Sequence, residues 1–450
     1  MTVSVPQSTL ASTYPERRPH LNFDLLGVIG LALGVRLLFL GLAGNTYDYD
    51  EFVLLLLGRD VAHGAVPYRD FMFFHPPGML ILLSALEPIT HIWWPVARII
   101  MAGVDTLSAV LVWRIGSTVF GRREGLAAAV LYALSPLALI SSTRVGQDPV
   151  ITLLGLAGLY VLITTQSQRA AILAGVCLAL AIWVKYPAAY FLPIYLLVAP
   201  RRTAAIVVAA LLTIAALLVP LHANLPALYH QTLAFQWSRW SMAPSQRLAT
   251  LGLFWLAVSP FAAASLLWRR QPPWLVAGFL LGGLFVFSSQ VYYHYFVVVV
   301  PFAALLGAPF VVRFLPAARP LVAAIALCLT AGLALLIDRG GSSPLFVTAA
   351  HLSDIAPTVH AIDARTSSTD PVLADRDEYA YLAGRPALAH YFWNEGVLVD
   401  GSFLENRLQP PEAVVLSYGA SSGFPPGFVQ YLDRRSAPQS VGVNTVWFLK

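Results

Sequence analysis

Three carboxylates fall within four consecutive positions, Asp48-Tyr49-Asp50-Glu51, and Asp60 and Asp70 follow shortly after. Together they are five of the twelve acidic residues in the first 338 positions. Carboxylates crowded beside an apolar environment cost free energy through desolvation and mutual repulsion. One placed there can take the proton of an attacking hydroxyl as a general base, or ligate a hard or borderline cation. Asp50 and Glu51 are neighbours, so they point to opposite sides of an extended chain and lie about 100° apart on a helix. One can then face a reacting group while the other holds a metal or a backbone donor. Asp48 and Asp50 share a face if the loop is extended. The plainer alternative is a solvated loop acid or a helix N-cap, because Asp50 precedes the apolar stretch 52–57.

Four other constellations have chemistry to offer. Pro76 and Pro77 force an extended backbone before them and fix His75 in place. That histidine can pair with phosphate or a metal, or simply be a satisfied turn residue. In Arg144-Val145-Gly146-Gln147-Asp148-Pro149, Asp148 can be functional or can cap the helix that Pro149 opens. Lys185 is the only lysine besides Lys450, and it interrupts an apolar stretch, where it either snorkels or pairs with an anion. Tyr292-Tyr293-His294-Tyr295 reads as an aromatic belt or as a donor cluster for phosphate or sugar.

The elements that must position these residues are membrane helices. Of the 450 residues 58% are hydrophobic and only 11% charged, and the mean hydropathy is +0.69. A soluble domain carries roughly a quarter charged residues. The net charge of +5 does not point to nucleic acid, because the arginines sit in short clusters between apolar runs. Cys177 and Cys328 lie inside apolar runs and imply neither a disulfide framework nor a metal site. Runs suited to crossing a bilayer lie near 25–44, 96–116, 124–143, 149–165, 170–184, 188–200, 203–221, 249–268, 274–289, 295–312 and 320–337, about eleven in all, of which 170–184 and 188–200 are short, join at Lys185-Tyr186-Pro187 and read as a tilted pair or a re-entrant hairpin. The first reads as an uncleaved helix after a cytoplasmic tail, 1–24. The run 77–93, broken by Glu87-Pro88 and ending in Trp93-Trp94, reads as a helix lying in the interface.

With Arg17-Arg18 inside, alternation places every later arginine doublet between spans inside as well. The acidic loop, 45–78, and all five constellations then map to the outer face. After Asp338 the composition changes, and residues 339–450 hold 19 of the 51 charged residues. Short apolar runs at 371–374 and 413–416 read as strands, with helices expected at 375–383 and 425–434. These predict a small extracytoplasmic α/β domain after the transmembrane domain, 25–338.

The stretch Y-D-Y-D-E-F…G-A-V-P-Y-R-D-F-M-F-F-H-P-P-G resembles the first outer loop of GT-C glycosyltransferases. The likeness is to bacterial members related to protein O-mannosyltransferases (glycosyltransferase family 39), aminoarabinose lipid A transferases and rhizobial galacturonosyl transferases. It covers residues 20–310, and its specific parts are Asp50-Glu51, Gly64 through Asp70, and His75-Pro76-Pro77. Weaker matches are Arg98, Ser135-Pro136, Lys185 and His294-Tyr295. The resemblance implies an inverting transferase that uses a polyprenyl-phosphate-linked sugar and a lipid, glycan or protein acceptor at the outer face of the cell membrane. Asp50 would be the base. Glu51 would be its neighbour for acceptor or metal contact, and Lys185, Arg144 and His294 would hold the donor phosphate. Asp48, His75, Asp148, Tyr293 and Tyr295 are secondary candidates. Related lipid A transferases carry a lysine where His75 stands. No cofactor is required, and a divalent cation on Asp50, Glu51 and His75 is compatible with the pattern.

Two other classes compete. A transporter or flippase of a lipid-linked or anionic substrate would place its charges near the bilayer midplane in repeated, broken helices. Here they gather at one surface and no repeat is visible. A non-catalytic scaffold would use the outer domain to bind a cell-wall partner.

Overall fold

The computed structural model describes residues 23–314 and 350–449, apart from 239, 240, 259, 269, 289, 375, 388–412, 418–425 and 443. The tail 1–22, the expected span 320–337, Cys328 and the side chain of Tyr293 lie outside the described residues.

Helix α1 (Phe23–Ala43) leads into strand β1 (Thr46–Tyr47) and helices α2 (Tyr49–Ala62), α3 (Gly78–Thr90) and α4 (Val96–Val119). There follow α5 (Arg122–Ala133), α6 (Pro136–Ser142), α7 (Asp148–Thr164), α8 (Gln168–Val184), α9 (Phe191–Val198) and α10 (Thr203–Leu218). Next come α11 (Leu225–Tyr229), α12 (Phe235–Ser238), α13 (Pro244–Val258), α14 (Pro260–Trp268), α15 (Pro273–Leu280) and α16 (Val300–Phe314). Beyond these lie β2 (Ala350–His351), α17 (Leu352–Arg365), β3 (Val372–Ala374), α18 (Asp377–Leu382), β4 (Ala413–Ser417), α19 (Pro426–Arg435), β5 (Gln439–Val441) and β6 (Asn444–Phe448).

The protein is a multi-pass membrane protein. Among the described residues, four helical stretches are long and apolar enough to cross a bilayer: Phe23–Ala43, Val96–Val119, Pro200–Ser238 and His294–Phe314. A fifth is α5 with α6, bent by 60° where Pro136 denies the helix a backbone donor. The run 149–165 forms a shorter apolar helix, α7, and the two short runs at 170–184 and 188–200 form α8 and Tyr186–Val198. Helix α8 stops at Lys185, whose backbone is extended, and Pro187 follows two positions on. Leu211 and Leu212 of α10 face outward, as lipid-facing residues do.

The segment between α1 and α4 carries two helices, α2 and α3. Asp48 caps α2 by accepting from the Asp50 amide at 3.1 Å. The N-cap alternative for Asp50 is therefore corrected: Asp50 lies inside the first turn. Helix α2 is buried along most of its length, packed between α3 and α18. Helix α3 exposes Ile81 and Ile89, and Ile92 and Trp93 follow it, also exposed, as on an interfacial segment.

The C-terminal segment contains a four-stranded sheet in the order β3-β4-β6-β5. Strands β3 and β4 are parallel, with Val372 opposite Ala413, and the remaining pairs are antiparallel. Strand β2 reaches back to β1, pairing Thr46 with His351 and Tyr47 with Ala350.

Candidate active site

Glu51 and Asp50 part company on the first turn of α2. Glu51 is fully buried, and Arg98 of α4 grips its carboxylate with Nε at 2.7 Å and Nη2 at 2.6 Å. The amide of Val145 donates to the same carboxylate at 2.9 Å. Arg98 also donates to the carbonyls of Gly44 and Thr46 and lies over the Trp94 ring. With both oxygens engaged, Glu51 is placed to hold the loop. Asp50, one residue earlier, is exposed. A carboxylate in the first turn also gains from the positive end of the helix.

Asp48 is half-buried but enclosed by charges. Burial, and next the Asp50 carboxylate, push its carboxyl up from 3.8 to about 7, while the Asp50 amide and Arg144 pull the other way. Arg144 anchors Thr46, donating to its carbonyl at 2.7 Å and to its hydroxyl.

The second part of the site is basic and aromatic. Lys185 Nζ donates to both carboxylate oxygens of buried Asp148, at 3.0 and 3.1 Å. Asp148 thus does not cap α7, where Gln147 occupies the cap position. The Lys185 ammonium lies 5.4 Å from the Tyr295 ring centroid, and His294 packs edge-on against Tyr295. Lys185 and His75 are the charged neighbours that act on His294. Lys185, Tyr295 and His294 form this second cluster.

One loop joins the two parts. Between α6 and α7, Arg144 holds Thr46 and the Val145 amide holds Glu51. Gln147 donates to the Val184 carbonyl at 2.9 Å, and Asp148 takes Lys185. The loop 144–148 therefore sets the distance between the acids and the cations.

His75 sits on a braced segment. Tyr68, in a left-handed conformation with φ 69°, donates its hydroxyl to the His75 carbonyl at 2.7 Å. Gln231 accepts from the Phe73 amide and donates to the Tyr68 carbonyl, and Gln236 donates to the Phe74 carbonyl. Gln231 lies in a π-helical turn, a feature frequent at functional sites. Among the described residues no three His, Cys, Asp or Glu side chains converge as metal ligands.

Sequence reasoning undervalued Arg98 and did not single out Arg36 and Asp105. The last two form a buried ion pair between α1 and α4, joined by the Tyr132 hydroxyl. The signal was an arginine inside the apolar run 25–44 and an aspartate inside the run 96–116.

Residues 74–230 match the family described as dolichyl-phosphate-mannose-protein mannosyltransferase. The match takes in His75, Arg98, Arg144, Asp148 and Lys185 and begins after Asp50. ArnT from Cupriavidus metallidurans, bound to undecaprenyl phosphate, superposes with a TM-score of 0.69 at 15% identity, covering 95% of this chain and 98% of that one. The chain has the fold of ArnT. The arabinofuranosyltransferase AftD from Mycobacteria matches at a TM-score of 0.54 and 16% identity, over 94% of this chain and 40% of its own. An oligosaccharyltransferase of Archaeoglobus fulgidus matches at 0.55 and 13%, over 88% and 68%.

Proposed function

We propose that this GT-C protein transfers a sugar from a polyprenyl-phosphate-linked donor to a hydroxyl acceptor at the outer membrane face. The observation that carries this reading is the loop 144–148, which bonds Thr46 and buried Glu51, the residue after exposed Asp50, at one end and buried Lys185 at the other. Asp50 takes the proton of the acceptor hydroxyl as its oxygen bonds to the anomeric carbon. The bond from that carbon to the phosphate oxygen breaks, and the electron pair leaves with the polyprenyl phosphate. Attack from the face opposite the phosphate inverts the anomeric centre. Lys185, Arg144 and His294 stabilise the charge that develops on the leaving group. Glu51, held by Arg98, positions Asp50. Tyr295 and His75 line the phosphate side, Asp148 orients Lys185, and Asp48 sets the proton affinity of the pair it forms with Asp50.

The reading includes about eleven membrane spans, a cell-membrane location, and an extracytoplasmic site with the C-terminal α/β segment on the same side. The acceptor is a lipid, glycan or protein hydroxyl. The match to ArnT bound to undecaprenyl phosphate supports a lipid-phosphate donor.

The test is transfer in proteoliposomes. Labelled polyprenyl-phosphate sugar and an envelope extract are supplied, and label is expected on an acceptor together with released polyprenyl phosphate. Label that crosses the bilayer still attached to its lipid would establish a flippase instead. Mass spectrometry of envelope glycans from a deletion strain then identifies the sugar and the acceptor.

A further inference from the structure

We infer that Glu378, in the C-terminal α/β segment, is a positioning residue of the active site, acting through Tyr47 to fix the helix start that carries Asp50. The catalytic part of this inference rests on the functional reading above.

Tyr47 and Glu378 are both fully buried although 331 positions separate them, and the Tyr47 hydroxyl donates to Glu378 Oε1 at 2.7 Å. Nε of Arg376 lies 3.3 Å from the same oxygen, and its guanidinium lies over the Tyr49 ring. Main-chain contacts reinforce the clasp. The Asn45 carbonyl accepts from the Leu352 amide at 2.8 Å, and residues 46 and 47 pair with 351 and 350 as β1–β2. Residues 45, 46, 47 and 49, which lead up to Asp50, therefore each have a partner in the C-terminal segment. Arg98 and Arg144 hold the same stretch from the membrane domain. Asp50 stands where the two grips meet.

The clasp is specific rather than a by-product of docking. Glu378 Oε2 has no hydrogen-bond partner among the described residues. A carboxyl buried with one oxygen unpaired costs more than an apolar side chain of similar size. Burial raises the Glu378 carboxyl, with Arg376 opposing, and it raises the Tyr47 phenol too, which keeps that hydroxyl a donor. Apolar and polar contacts flank the clasp: Phe52 packs against both Tyr47 and Tyr381, and Arg59 donates to the Arg385 carbonyl.

Two measurements on the full chain in nanodiscs test this. Hydrogen exchange is read at the Asp50 and Glu51 amides, which bond to the Asp48 side chain and carbonyl. Steady-state transfer is read as kcat and donor KM. Tyr47→Phe and Glu378→Ala are each expected to speed exchange at those amides about tenfold and lower kcat about tenfold, with donor KM within about twofold. The double variant should be no worse than either single one, because the two residues act as a unit. Glu378→Gln should restore most of both readouts, since its side-chain oxygen still accepts from Tyr47. Unchanged exchange in Tyr47→Phe, which removes only a hydroxyl, overturns the inference even if Glu378→Ala fails to fold. Faster exchange with unchanged kcat also overturns it. If the wild-type protein transfers no sugar, the functional reading falls by itself, and the exchange result alone decides whether Glu378 holds the helix start.

Discussion

Arg98 and Glu51 lie 47 positions apart and form a buried fork of two hydrogen bonds, at 2.7 and 2.6 Å. The pair turns an adjacent Asp-Glu into two different groups, one locked inside and one facing out. Removing one partner strands a buried charge at a cost of about 3–5 kcal/mol. Glu51→Gln and Arg98→Met are each expected to lower the unfolding midpoint in detergent and abolish transfer. Replacing both residues should cost less stability than the sum of the single losses. Single variants as stable as the wild type would show that the pair is not closed.

Lys185 and Asp148 separate a strut from a ligand for phosphate. If Lys185 contacts donor phosphate, Lys185→Met should raise donor KM about tenfold or more, while Asp148→Asn, which leaves the ammonium in place, should raise it only a few-fold. Equal effects would make the pair structural. Lys185→Arg is not expected to rescue, because a planar guanidinium does not replace a compact ammonium at a closed site.

The pH response follows from Asp48. Its carboxyl is raised to about 7, first by burial and then by Asp50. A carboxyl raised in the folded state favours the fold where it is protonated. That contribution is complete below the ordinary carboxylate range and is lost as pH rises through about 7. The wild-type unfolding midpoint should therefore fall more over this interval than that of Asp48→Asn, which keeps the cap. kcat/KM should rise with pH through about 7 as the Asp48–Asp50 pair loses its proton. Asp48→Asn should move that limb to lower pH by removing a like charge. A limb that does not move would detach Asp48 from the reaction.

Gly78 couples the His-Pro-Pro segment to the lysine. A methyl group there would stand 2.6 Å from the Trp183 carbonyl oxygen, two residues before Lys185. Gly78→Ala must push α3 from α8, at a cost of about 1–3 kcal/mol. It should lower kcat more than Gly27→Ala, where a methyl group meets nothing within 4 Å. Equal kcat in the two variants would contradict this coupling.

The sequence revealed what depends on local type and spacing. The apolar runs, the acidic loop and the strands at 372–374 and 413–417 could all be read from neighbouring residues. Partners that depend on distant folding could not. Nothing near Glu51 announces Arg98, and nothing near Tyr47 announces Glu378. Asp148 looked like a cap because Pro149 follows it, yet its oxygens answer to Lys185 across the fold.

The most direct test of the account is the sugar-transfer rate of Asp50→Asn, with a polyprenyl-phosphate donor in proteoliposomes, beside its unfolding midpoint. The side chain is exposed, so its loss should cost the fold only about 0.3–1 kcal/mol. Loss of the base should lower kcat by about 10²–10⁴. A folded Asp50→Asn protein that transfers sugar at the wild-type rate would contradict the account.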